Sequence, residues 1–161
     1  MKIERLLPLA AICLAVPAFA DEHGGGDAEA GEKEFRKCKA CHMIVDDAGE
    51  QIVRGGRTGP NLHGVIGRAA GGVEDFRYSD LMTAAGEGGL VWDEASLAAY
   101  VQAPTAYLKE VSGESSGRSK MSYKVRGSSA EEDAKNLAAY LATFSDMSED
   151  AAEDDGEDAE G

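Results

Sequence analysis

The chain has 161 residues, with 16 Lys and Arg against 30 Asp and Glu, giving a formal net charge of −14 at pH 7. That balance excludes a general nucleic-acid binder, whose phosphate contacts need clustered positive charge, and 43% hydrophobic residues supply one compact core rather than two large ones. Trp, Tyr and Phe number 1, 5 and 4 against 20 glycines, so a loop-rich fold is expected, its core completed by something other than side chains.

Residues 1–20 read as a targeting segment. Lys2 and Arg5 precede an apolar run from Leu6 to Val16, and Ala18-Phe19-Ala20 is an A-x-A cleavage site. Export with removal of the segment before Asp21 is expected. The run is shorter than the roughly 20 residues a membrane-spanning helix needs, so the chain is expected not to span a membrane. Cys13 leaves with the segment, and Cys38 and Cys41 remain. One close pair is no disulfide framework; it points to local chemistry.

Residues 21–26 form a polar, glycine-rich lead-in. A helix is predicted from Asp27, with Asp27 as N-cap, Glu29 near the positive dipole end, and Gly31, Phe35 and Cys38 on one face. The glycines of residues 44–77 predict mostly loop and turn, followed by a short helix after Ser79. Asp93 caps a clearer segment in which Leu97, Tyr100 and Val101 share a face, and Pro104 prevents its continuation. One further turn or two is predicted over 104–110, then loop from Gly113 to Lys120. In the last helix, Ser128 and Ser129 each precede a glutamate by three residues, and Ala134, Leu137, Ala138, Leu141 and Phe144 build an apolar stripe. No strand pattern is evident. Residues 146–161 carry nine acids and no base, which reads as a disordered tail. Residues 27–145 are left as the folded domain, and 21–145 carry a net charge of −6.

Cys38-Lys39-Ala40-Cys41-His42 is the spacing of covalent c-type haem attachment. Two thiols three positions apart at a helical turn each reach one vinyl group, and the adjacent imidazole then lies under the iron. A thioredoxin-like dithiol needs a strand-to-helix setting in a βαβ pattern, which is absent. Half of a zinc site needs more partners than His23 and His63 supply. A second axial ligand must approach from the opposite face. Met43 adjoins the proximal motif, Met147 lies in the acidic segment and Met82 falls on a predicted short helix. Met121, in a loop before the last helix, is the best placed, with His63 as its main rival.

These residues, together with Gly31, Phe35, Thr58-Gly59-Pro60-Asn61-Leu62-His63-Gly64, Gly67-Arg68, Phe76, Tyr78, Trp92, Leu97, Tyr100, Pro104, Tyr107, Ser119-Lys120-Met121, Leu137, Tyr140 and Leu141, give a specific resemblance. Over about 27–145 the chain resembles the class I cytochromes c, close to the bacterial cytochrome c2 and cytochrome c-550 group. The resemblance implies an all-α fold wrapped around one covalent haem c, held through Cys38 and Cys41, with iron between His42 and Met121. Pro60 matches the position whose carbonyl accepts the Nδ1 proton of the proximal histidine, which fixes its tautomer. Tyr100 matches a hydroxyl near the distal sulfur, and Arg68, Tyr78 and Trp92 match groups around the haem propionates. Gly31 and Phe35 match a first helix crossing the last one at Leu137 and Tyr140.

The implied function is that of a soluble, monomeric periplasmic carrier of single electrons, with no substrate bond made or broken. Its donor would be a quinol-oxidising cytochrome bc complex, and its acceptor an oxidase, a reaction centre or a reductase. Residues 109–126 hold five bases against two acids, and 33–57 six against four. The haem edge is therefore expected to be the least negative part of an acidic protein and to steer it to acidic partners. A peroxidase-like enzyme needs an open iron and a distal acid/base pair, neither of which the sequence offers. A haem-based sensor needs a signalling module, and none is visible.

Overall fold

The computed structural model describes residues 25–145. The targeting segment, most of the lead-in and the acidic segment 146–161 lie outside the described residues. Five helices carry the fold: α1 (Ala28–Phe35), α2 (Asp80–Glu87), α3 (Glu94–Gln102), α4 (Pro104–Ser112) and α5 (Ala130–Ala142). Between α1 and α2 lie one 3₁₀ turn (Cys38–Ala40) and a two-stranded antiparallel hairpin, β1 (Ile44–Val45) with β2 (Gln51–Val53).

Helices α1, α2 and α3 begin at side-chain caps. Asp27 accepts from the N–H groups of Glu29 and Ala30, using two of the donors a helix start leaves open. Ser79 caps α2 through Met82 N, and Asp93 with Ser96 forms a reciprocal capping box on α3. Pro104, which cannot continue α3, instead supplies the first residue of α4.

Helix α1 lies against α5 in the organising contact of the fold, with α3 also packed on α5 and α2 against α4. Phe35 is buried and meets the Tyr140 ring at a centroid distance of 5.4 Å. Gly31 makes the crossing possible: a Cβ there would run into the Asn136 carbonyl and lie 2.7 Å from Tyr140 Cβ. The expected contact with the last helix is thus found at Asn136 and Tyr140.

Four local expectations change. Strands are present although no strand pattern is evident in sequence: Ile44 and Val45 pair across a turn with Val53 and Gln51, and strands this short show no alternation. The helix starting at Pro104 extends to Ser112, where Gly113 stops it in a left-handed conformation at φ 73°. Helix α1 stops at Phe35, so Cys38 is not on its apolar face. Helix α5 has no hydroxyl cap: Ser129 is not extended (φ −102°, ψ 12°), and its Oγ donates to the Asp133 carboxylate at 2.9 Å.

Candidate functional site

After Phe35 the chain tightens into the 3₁₀ turn, where Cys41 N and His42 N both donate to the Cys38 carbonyl, at 3.0 and 2.9 Å. This turn sets both thiols and the imidazole along one wall of a cleft of about 280 Å³. Both cysteines are free thiols. Burial pushes the Cys38 thiol up to about 11, so in the bare polypeptide it stays protonated at neutral pH. Burial also lowers the His42 pKa, against a smaller opposing effect of its bond to Pro60. The imidazole is therefore neutral, which is the state a metal takes up.

The His42 ring is oriented by its neighbours. Its Nδ1 donates to the Pro60 carbonyl at 2.8 Å, which leaves Nε2 for the cleft. Behind the ring passes Gly59, whose N–H donates to Cys41 O at 2.8 Å. A Cβ at Gly59 would stand 2.6 Å from His42 Nδ1, so only glycine lets the backbone pass behind the imidazole. Asn61 then ties this loop to the hairpin: its side chain accepts from Val45 N at 3.0 Å and donates to Val45 O at 2.6 Å.

The other walls come from distant parts of the chain. Met121 and Tyr100 line the cleft, as do Arg68, Tyr78 and Trp92. Tyr100 OH lies 3.0 Å from Ser119 Oγ, two residues before Met121. Arg68 sends Nη1 to His63 O and Nη2 to Asn61 O, each at 2.9 Å. Its backbone is fixed to Trp92, which donates N–H to Arg68 O at 2.9 Å. The Trp92 and Tyr100 rings meet at 5.1 Å. Burial raises the phenol pKa values of Tyr78 and Tyr100, so both remain neutral hydrogen-bonding groups.

All nine sequence-derived site residues, Cys38, Cys41, His42, Pro60, Arg68, Tyr78, Trp92, Tyr100 and Met121, border this one cleft. His63, the rival ligand, does not. It is buried elsewhere, with Nδ1 4.0 Å from Asp47 Oδ1. Met82, on the helix expected after Ser79, lines the cleft as well. Sequence reasoning missed Ser119 and Gly59 as individual contributors, although both fall inside the quoted motifs. It also missed Thr105, which accepts from Ser119 N at 3.2 Å.

The donor set fits a covalently tethered iron porphyrin. Two unpaired thiols, one free imidazole nitrogen and the thioethers of Met82 and Met121 border a largely apolar cavity. Among the described residues, no group of three or more His, Cys, Asp or Glu is placed to hold a metal ion unaided.

No protein-family model matches the chain. Curated proteins and solved structures do. The chain is 55% identical over 134 residues to cytochrome c-551 of Roseobacter denitrificans, covering 83% of this chain and 89% of that one. It is 45% identical over 159 residues to cytochrome c-550 of Paracoccus versutus, covering 97% and 98%. The crystal structure of cytochrome c2 from Rhodobacter sphaeroides superposes with a TM-score of 0.70 at 48% identity, over 74% of this chain and 97% of that one.

Proposed function

This chain belongs to the class I cytochromes c, in the cytochrome c2 and c-550 group, and from that premise we propose that it is a soluble periplasmic carrier whose haem iron is held between His42 and Met121. Its fold is the all-α class I fold, its cofactor is one covalently bound c-type haem, and it is an electron-transfer protein rather than an enzyme.

When bound, the haem supplies a one-electron iron couple. The protein's part is to hold that couple in one geometry and keep other ligands away. Cys38 and Cys41 would anchor the ring, and the Pro60 carbonyl fixes the His42 tautomer. With His42 and Met121 as the residues that would hold the iron, a Met/His ligand pair would raise the reduction potential. Arg68, Tyr78 and Trp92 are assigned to the propionates; the Arg68 guanidinium, clamped to two backbone carbonyls, is a fixed positive charge in a partly buried wall. The observation that carries the reading is the His42 Nδ1 bond to Pro60 at 2.8 Å, which commits one ring nitrogen and frees the other for the cleft that Met121 shares.

Among the described residues no helix is long and apolar enough to cross a membrane. The leader and its A-x-A site support export to the periplasm with the mature chain starting at Asp21, and the carrier works there as a monomer. Lys37 and Lys120 stand at the cleft, and the bases around them make the haem edge the docking face. The donor is a cytochrome bc complex, and the acceptor is an oxidase, a reaction centre or a reductase with an acidic docking surface.

Met121→Leu tests the ligand. The change preserves volume and removes sulfur, so the sulfur-to-iron band should vanish, the potential should fall and cyanide should bind. An unchanged spectrum in Met121→Leu with an altered one in Met82→Leu would reassign the ligand. The docking face is tested by stopped-flow oxidation of the reduced protein by acceptor membranes, whose rate should drop steeply with added salt. A salt-independent rate would remove it.

A further inference from the structure

The loop that carries Met121 has little hold of its own. Among the described residues, 114–124 make no backbone-to-backbone hydrogen bond. Side chains hold it instead. Lys109 Nζ donates to Ser115 O and Lys120 Nζ to Arg77 O, at 2.6 and 2.8 Å, but both bonds are exposed to solvent and compete with water.

The partly buried hold is at Ser119, which makes three contacts. Its N–H donates to Thr105 Oγ1 at 3.2 Å, its Oγ accepts from Met121 N at 3.1 Å, and the same Oγ meets Tyr100 OH at 3.0 Å. Thr105 is well placed to act as the fixed end. It is the second residue of α4, directly after Pro104, which is fully buried and has its φ locked by the ring. Among the described residues, the one hydrogen bond of the Thr105 hydroxyl is the one it accepts from Ser119 N.

Resting on the His42/Met121 reading, we propose that Thr105 is a positioning residue for the distal ligand: by holding Ser119 N–H from the first turn of α4, it keeps Met121 at the cleft and limits how often the sulfur leaves the iron. The action is indirect, through Ser119 and its bond to Met121 N. Valine at 105 keeps the β-branched shape and removes the acceptor. Serine keeps the acceptor and removes only the methyl group.

The test uses the haem-loaded ferric protein in four variants, Thr105→Val, Thr105→Ala, Thr105→Ser and Met121→Leu. Two readouts are taken, the rate of cyanide binding and the hydrogen exchange of the Ser119 and Met121 amides. Losing one partly buried bond should speed both by roughly fivefold, or about 1 kcal/mol, in the Val and Ala variants. The Ser variant should match the wild type. Val and Ala variants with wild-type rates would overturn the proposal, as would a Ser variant as fast as Val. If the Val variant melts below the assay temperature, the Ala variant decides. Met121→Leu separates the two levels: slow cyanide binding there would overturn the ligand reading itself, whereas fast binding there with unaltered Thr105 variants would overturn only the role of Thr105.

Discussion

Replacing Gly31 with alanine adds one methyl group at the tightest point of the α1 and α5 crossing. The new Cβ would collide with the Asn136 carbonyl and lie 2.7 Å from Tyr140 Cβ. The carbonyl carbon and oxygen are backbone atoms of a helix, so no rotamer change relieves the clash and the helices must separate. Overpacking of this kind costs about 1 to 3 kcal/mol, and a rigid backbone obstacle places it at the upper end. Alanine returns about 1 kcal/mol through its better helix propensity, since Gly31 lies inside α1. The net expectation is a loss of about 2 kcal/mol. Urea denaturation of the haem-loaded protein measures it, with Ala99→Gly on the exposed face of α3 calibrating the propensity effect. Gly49 is an unsuitable reference, because its φ of +83° strains any substitution even though nothing lies within 4 Å. A Gly31→Ala protein as stable as the wild type would refute the close crossing.

Asp93→Ala removes the α3 cap and should cost about 1 kcal/mol at pH 7. Bonds from Ser96 hold the Asp93 carboxyl below the ordinary carboxylate range, so its contribution is complete above the unfolded value of about 4 and is lost as pH falls through the lower folded value. The gap between wild type and variant in thermal melts should therefore close in acid; a constant gap would refute the charge-assisted cap. Deleting residues 146–161 should leave the thermal midpoint and the haem spectrum unchanged, because nine acids without apolar periodicity have no core to join. A large loss of stability would contradict that reading. Intact mass of the exported protein after acid-acetone extraction should equal a chain starting at Asp21 plus one haem, and a bare polypeptide mass would contradict covalent attachment.

What was legible in the sequence was local. The pentapeptide Cys38 to His42 states its own geometry, because a single 3₁₀ turn is enough to present two thiols and an imidazole together. Asp93 and Pro104 mark helix ends through effects that act within one turn. The unread parts depend on partners far along the chain. Asn61 reaches Val45 across 16 positions and Thr105 reaches Ser119 across 14, and polar residues in irregular loops leave no periodic trace. The β1–β2 hairpin escapes a sequence reading because two paired residues cannot display alternation. Ser129 misleads because an N-cap depends on backbone angles, and at ψ 12° its hydroxyl turns to Asp133 instead. Cys38, Cys41, His42 and Met121 are readable from motif and position, whereas Pro60, Arg68, Tyr78, Trp92 and Tyr100 come only with the family resemblance, and the convergence of all nine on one cleft is a property of the fold.

The central claim, a closed six-coordinate carrier with sulfur opposite His42, is tested most directly by spectroelectrochemical titration of the purified protein with carbon monoxide present. A single one-electron wave is expected, with a sulfur-to-iron band in the ferric state and no carbon monoxide adduct on reduction. Prompt formation of that adduct, with no sulfur band before reduction, would contradict it.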